Sequence, residues 1–193
     1  MLEENYLCRL LAQKLPPGRY HHSLRVAEVS QELAARFSLS VPKARTAALL
    51  HDYARDLPPG ELVALARKGG LIQNPLEERA PVLLHGPVGA WLIERDLGVI
   101  DPEILEAVAC HTVGRPGMGP LARLIYLADA IEPGRDYPGV SSLRELAKKD
   151  LDAALAEAFK ASILYILSKR QLLHPLTVEA WNYLLLERGD GSN

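Results

Sequence analysis

Nowhere in this 193-residue sequence do apolar and polar side chains alternate with period two over a useful length. Apolar residues instead recur three to four positions apart, between prolines and glycines. A chain patterned this way buries its apolar side chains by packing helix on helix. The fold class that follows is all-α, a helical bundle.

Proline and glycine set the expected elements. A first helix spans 2–15, closed by Pro16-Pro17-Gly18, and a second spans 21–37, where Val26, Val29, Leu33 and Phe37 share a face. Ser40 reads as an N-cap ahead of Pro42 and opens a helix to about Arg55. Pro58-Pro59 opens a short helix that Gly69-Gly70 stops, and Gly86-Pro87 begins one through Leu97. Asp101-Pro102-Glu103 repeats the signal of a cap followed by proline. Another helix, 121–131, lies between loops 114–120 and 133–139, and two longer ones follow at 151–172 and 177–187. The length suits one domain, expected over 1–188, with the polar, Gly-rich tail 189–193 fraying.

Several classes of function are disfavoured at once. A net charge of -2 gives no basic field for duplex nucleic acid, although local arginines can still serve a small anion. No apolar run reaches the ~18 residues of a membrane span. The start, Met1 to Asn5, is acidic where a secretory signal is basic. Cys8 and Cys110 form no CxxC pair and read as free thiols. The expected setting is the cytoplasm, without a membrane partner, and the last two apolar helices offer a homodimer face.

Placing the polar residues on these helices reveals the chemistry. His51 follows Ala44, Ala47 and Ala48 at helical spacing, and His22 shares a stripe with Val26, Val29 and Leu33. His85 aligns with Val88, Gly89 and Leu92, and His111 with Ile104 and Val108. Asp129 falls in the sector of Leu121, Ile125 and Ala128, while Asp52 follows the apolar run Ala47 to Leu50. One histidine on an apolar stripe is more often a hydrogen-bonded core residue than a ligand. Four of the six histidines so placed, together with two aspartates, are hard to assign to chance. A buried carboxylate must be paired or bound to a cation, and a shared cation is the simplest single explanation. Imidazole and carboxylate suit iron, manganese, cobalt, nickel or zinc, and the lack of cysteine disfavours a structural zinc site. His21 is turned away from His22, His174 reads as a helix start, Cys110 as a small core residue, and Tyr53 and Tyr137 as packing residues.

The ordered set His22, His51-Asp52, Asp129 resembles the HD superfamily of metal-dependent phosphohydrolases. Arg19-Tyr20-His21-His22-Ser23-Leu24-Arg25-Val26 is similar to its first-histidine segment, and Leu49 to Pro58 to its His-Asp segment. The stretch Leu127-Ala128-Asp129-Ala130-Ile131-Glu132-Pro133-Gly134-Arg135, with Tyr137-Pro138-Gly139-Val140 and the later His174-Pro175-Leu176-Thr177, resembles the YqeK-type subgroup, the symmetrical bis(5'-nucleosyl)-tetraphosphatases. Position 55 is arginine where lysine is also familiar, which keeps the charge and alters its geometry. The resemblance implies an iron-containing, dinuclear enzyme, with manganese, cobalt or nickel as substitutes. It also implies cleavage of diadenosine tetraphosphate into two molecules of ADP.

Roles follow as expectations. Asp52 bridges two ions about 3.5–4 Å apart, with His22, His51 and Asp129 completing one of them. His85 and His111 face either the second ion or the phosphate chain. A metal-bound hydroxide then attacks one of the two central phosphorus atoms in line, which makes Asp52, His85 and His111 the catalytic set. Arg135 is the first candidate to clamp phosphate, followed by Arg19 and Arg55. His85, His111 and Asp129 border the same nucleotide, Thr112 can donate a hydrogen bond, and Asp56 is either a proton acceptor or a solvated carboxylate. Competing readings are an HD nucleotidase or signalling-nucleotide phosphohydrolase, a nucleotide-sensing binding protein with an inactive centre, and a helical interaction module.

Overall fold

Six helices carry proline in their first two positions, where its fixed φ suits the helix and its missing N–H loses nothing. The computed structural model describes residues 2–189, and among these the regular structure is entirely helical. The elements are α1 (Glu4–Lys14), α2 (Pro17–Arg36), α3 (Val41–Leu50), α4 (Pro59–Lys68), α5 (Leu76–Arg79), a 3-10 turn (Pro81–Leu84), α6 (His85–Leu97), α7 (Pro102–Cys110), α8 (Pro120–Ile131), α9 (Val140–Ala147), α10 (Leu151–Ser168) and α11 (Pro175–Arg188). No helix among the described residues is long and apolar enough to cross a membrane.

The departures from expectation have local causes. Pro16 and Pro17 start α2 rather than merely closing α1, so α2 begins four residues early. Helix α3 stops at Leu50 instead of near Arg55. The Ala48 carbonyl, which a continuing helix would give to the Asp52 N–H, instead accepts the His51 ring at 2.6 Å. Tighter turns follow, with the Tyr53 N–H on Leu50 and the Arg55 N–H on Asp52. Helix α10 ends at Ser168, where Arg170 turns left-handed at φ 53. Helices α5 and α9 were not expected, each being too short for its apolar period to stand out. Ser40 caps α3 by accepting the Lys43 N–H, and the ring of His174 caps α11 by accepting the Leu176 N–H. Of the tail expected to fray, Gly189 caps α11 and 190–193 lie outside the described residues.

Helix α8 is the central post: Leu124, Ile125, Leu127 and Ala128 have no exposure, and the helix packs on α2, α3, α7 and α10. Helices α2 and α3 pack closely, and both carry small, fully buried residues: Ala27, Ser30 and Ala34 on α2, and Ala44, Ala47 and Ala48 on α3. Phe159 of α10 stacks on Tyr126 of α8, with ring centroids 4.2 Å apart. On the outer side, α10 and α11 leave Leu164, Tyr165, Leu167 and Leu186 exposed. This packing brings the start of α2, the start of α6 and the ends of α3, α7 and α8 to one place.

Candidate active site

Asp52 sits at that meeting point, 3% exposed, with its two oxygens facing different ring pairs. Oδ2 lies 3.4 Å from His51 Nε2 and 3.7 Å from His22 Nε2. Oδ1 lies 3.3 Å from His85 Nε2 and 3.6 Å from His111 Nε2. Within the pairs, the Nε2 atoms are 3.2 Å apart for His22 and His51 and 2.8 Å apart for His85 and His111. All four rings are buried. Asp129 joins from α8, its Oδ1 3.0 Å from His22 Nε2.

Three of the rings are held by one repeated device. Nδ1 of His51, His85 and His111 donates to the carbonyl three residues earlier, on Ala48, Val82 and Val108 at 2.6, 2.5 and 2.7 Å. A carbonyl only accepts, so Nδ1 carries a proton in every ring, and each Nε2 is the atom turned toward Asp52, offering a lone pair when the ring is neutral. His51 and His111 also cap the C-terminal ends of α3 and α7, where the helix dipole adds partial negative charge. The Thr112 hydroxyl lies 3.1 Å from His85 Nε2 and 3.3 Å from His111 Nε2, close enough to donate to one of them. Gly86 allows this closeness: a Cβ there would stand 2.8 Å from the Ala109 carbonyl oxygen.

Lone pairs and carboxylates converging at such distances call for positive charge. Burial opposes charge on His51, but Asp52 and Asp129 outweigh it and hold its pKa at about 9. Burial would raise the carboxyls of Asp52 and Asp129, yet the surrounding rings, with Arg135 at Asp129, keep both far below the usual carboxylate range. For His85 burial prevails and the pKa is pushed down. The same field that draws a proton draws a cation. His22, His51 and Asp129, and likewise His51, Asp52 and His111, bring donor atoms within 4.8 Å of one another. Nitrogen and carboxylate donors without cysteine fit a divalent cation.

Arginines share that task, which the sequence reading did not foresee. Arg19 Nη1 lies 2.9 Å from Asp52 Oδ2, and its Nε lies 3.5 Å from Asp56. Arg135, six residues after Asp129, folds back on it, donating Nη2 to Oδ1 and Nε to the backbone carbonyl. The two aspartates are therefore partnered by side chains, and a cation is not the sole source of positive charge. Asp129 is also less enclosed than its helical sector implies, with 21% of its side chain exposed. Asp56 is exposed and paired with Arg19. Arg55 is half-buried, and the hydrogen-bond network of the centre does not include it. Tyr53 is buried with the Lys14 ammonium over its ring, and Tyr137 donates to the Ala130 carbonyl, so both are packing residues.

One residue at the centre was given no role by the sequence. Glu132, 2% exposed, accepts from His22 Nδ1 at 3.1 Å, from Arg25 Nε at 2.5 Å and from the Gly134 N–H at 2.6 Å. Burial alone would raise its pKa, but these donors hold it at about 2. Arg144 of the unexpected α9 fixes the turn around it, donating to the carbonyls of Ile131, Glu132 and Arg135. The available sequence signal was its place one helical turn after Asp129.

An all-helical bundle that gathers histidines and aspartates from five helix ends defines a class, the helical metal-centre proteins. The chain belongs to the HD domain family, whose model matches residues 19–134. It is 40% identical over 183 residues, 95% of this chain and 97% of the relative, to "Bis(5'-nucleosyl)-tetraphosphatase, symmetrical" of Bacillus subtilis. A protein of the same name from Halalkalibacterium halodurans is 37% identical, covering 93% of this chain and 96% of its own. The crystal structure of a predicted HD superfamily hydrolase involved in NAD metabolism, from Clostridium acetobutylicum, superposes with a TM-score of 0.92. It is 37% identical and covers 97% of this chain and 99% of its own.

Proposed function

We propose that this chain is a metal-dependent hydrolase that cleaves diadenosine tetraphosphate symmetrically into two molecules of ADP. The carrying observation is Asp52, whose two oxygens each face a pair of histidine nitrogens. The substrate comes from relatives of that name that match nearly the whole chain. A dinuclear iron site is the form we assign, with manganese, cobalt or nickel as substitutes.

In this reading His22, His51, Asp52 and Asp129 would hold one ion, and the second oxygen of Asp52 faces His85 and His111. Bound divalent ions supply Lewis acidity, lowering the pKa of a water and offsetting charge on the phosphate oxygens. The protein groups do the rest. Arg19 and Arg135 present guanidinium forks at the rim, with side chains 27% and 39% exposed, and can turn from aspartate to phosphate. The Thr112 hydroxyl can donate to a phosphate oxygen from beside His85 and His111. Water adds at one of the two central phosphorus atoms, the bond from that phosphorus to the oxygen bridging the two central phosphates breaks, the water proton passes to solvent, and both halves leave as ADP.

The test is a product analysis. Manganese-loaded protein is incubated with diadenosine tetraphosphate, and the nucleotides are separated. ADP as the sole product, lost in Asp52→Ala together with bound metal, is the expected result. ATP with AMP, release of orthophosphate, or unchanged metal content and rate in Asp52→Ala would overturn the reading.

A further inference from the structure

Three of the four converging histidines take their orientation from a backbone carbonyl, and His22 does not: its Nδ1 meets the buried carboxylate of Glu132. We propose that Glu132 is a positioning residue that locks the His22 ring as its Nδ1–H tautomer and so keeps the Nε2 lone pair free for a cation. This inference rests on the metal-centre reading above.

Glu132 is held from every side. Oε2 accepts from Arg25 Nε and the Gly134 N–H, and Oε1 accepts from His22 Nδ1 and, at 3.3 Å, from Arg25 Nη2. Both oxygens therefore act only as acceptors. Gly134 leaves room for this arrangement, since a Cβ there would stand 2.7 Å from Arg25 Nη2 and push the guanidinium aside. The carboxylate cannot swing away, and the ring facing it must present a hydrogen. A carboxylate behind a ligand histidine also makes the ring more basic, and loss of such a partner weakens metal binding roughly 10–100-fold.

The acceptor arrangement makes an unusual forecast for the isostere. In Glu132→Gln the amide NH2 must occupy one of the two oxygen positions. At Oε2 it would oppose the Gly134 N–H and Arg25 Nε, neither of which can become an acceptor. At Oε1 it opposes only the long Arg25 Nη2 contact of 3.3 Å and faces His22 Nδ1, which can accept by moving the ring proton to Nε2. The amide thus selects the wrong tautomer and blocks the metal-facing lone pair. Glu132→Ala leaves space in which a water can accept from Nδ1, so its ring keeps the useful tautomer more often.

The readouts are manganese affinity of the metal-free protein by calorimetry and the His22 tautomer from the ring nitrogen shifts of 15N-labelled protein. We expect affinity to fall in the order wild type, Glu132→Ala, Glu132→Gln, with the Gln variant at the upper end of a roughly 10–100-fold loss and its His22 proton on Nε2. Gln binding as well as or better than Ala, the order a purely structural role gives, would overturn the inference. So would a wild-type His22 protonated on Nε2, a measurement that requires neither variant to fold. Wild-type protein that binds no manganese would instead overturn the metal-centre reading itself.

Discussion

Filling the centre should release one proton. In the metal-free protein His51 holds that proton with a pKa of about 9, since Asp52 and Asp129 outweigh its burial. A cation that takes Nε2 must displace it. At pH 7 the displacement works against about two pH units, or ~2.7 kcal/mol. Affinity at pH 7 should therefore sit roughly 100-fold below its plateau and climb about tenfold per unit toward pH 9. The assay is titration of metal-free protein with manganese at several pH values, each in two buffers of different ionisation enthalpy, so that the heat difference counts protons. Stability gives a second readout. The folded pKa lies above the ordinary 6.5, so the His51 contribution is fully present below 6.5 and is lost as pH rises through about 9. The melting temperature of the metal-free protein should fall across that window, and the loaded protein should lose this dependence. Affinity that is flat in pH, with heats independent of buffer, would refute the reasoning.

Other perturbations test separate parts of the structure. Gly86→Ala places a Cβ 2.8 Å from the Ala109 carbonyl and 3.2 Å from that of Val108, the group that orients His111. It should lower stability by about 1–3 kcal/mol and weaken manganese binding; a variant that binds manganese like wild type would show that the α6–α7 seam does not set the His85–His111 spacing. Arg19→Ala removes a competitor for Asp52 Oδ2, so metal should bind no more weakly. Its kcat/KM for diadenosine tetraphosphate should drop by the value of a charged hydrogen bond, about 1.5–3 kcal/mol or roughly 10–100-fold; the reverse pattern would assign Arg19 to the metal site alone. Phe159→Ala empties a fully buried position stacked on Tyr126. It should cost about 3–5 kcal/mol by chemical denaturation while the folded variant keeps its metal stoichiometry, because Phe159 stacks on Tyr126 and not on a donor ring.

By itself the sequence determined the helical class, most helix starts and the identity of the convergent donors. Helix starts are legible because a cap and a proline act within one turn, as at Ser40-Val41-Pro42 and Asp101-Pro102. Histidines on apolar stripes are legible because the helical period fixes which face turns inward. The tertiary structure decided how those donors pair. That Asp52 directs one oxygen to His22 and His51 and the other to His85 and His111 depends on four helix ends meeting within a few ångströms, which no local spacing encodes. The structure also decided where the positive charge comes from, since Arg19 is 33 positions from Asp52. Glu132 is the clearest case: its partners His22 and Arg25 are 110 and 107 positions away. On the sequence it is one more acidic residue before a proline. Only the packing of α2 against the end of α8 buries it, and burial with four donors around it makes its charge consequential.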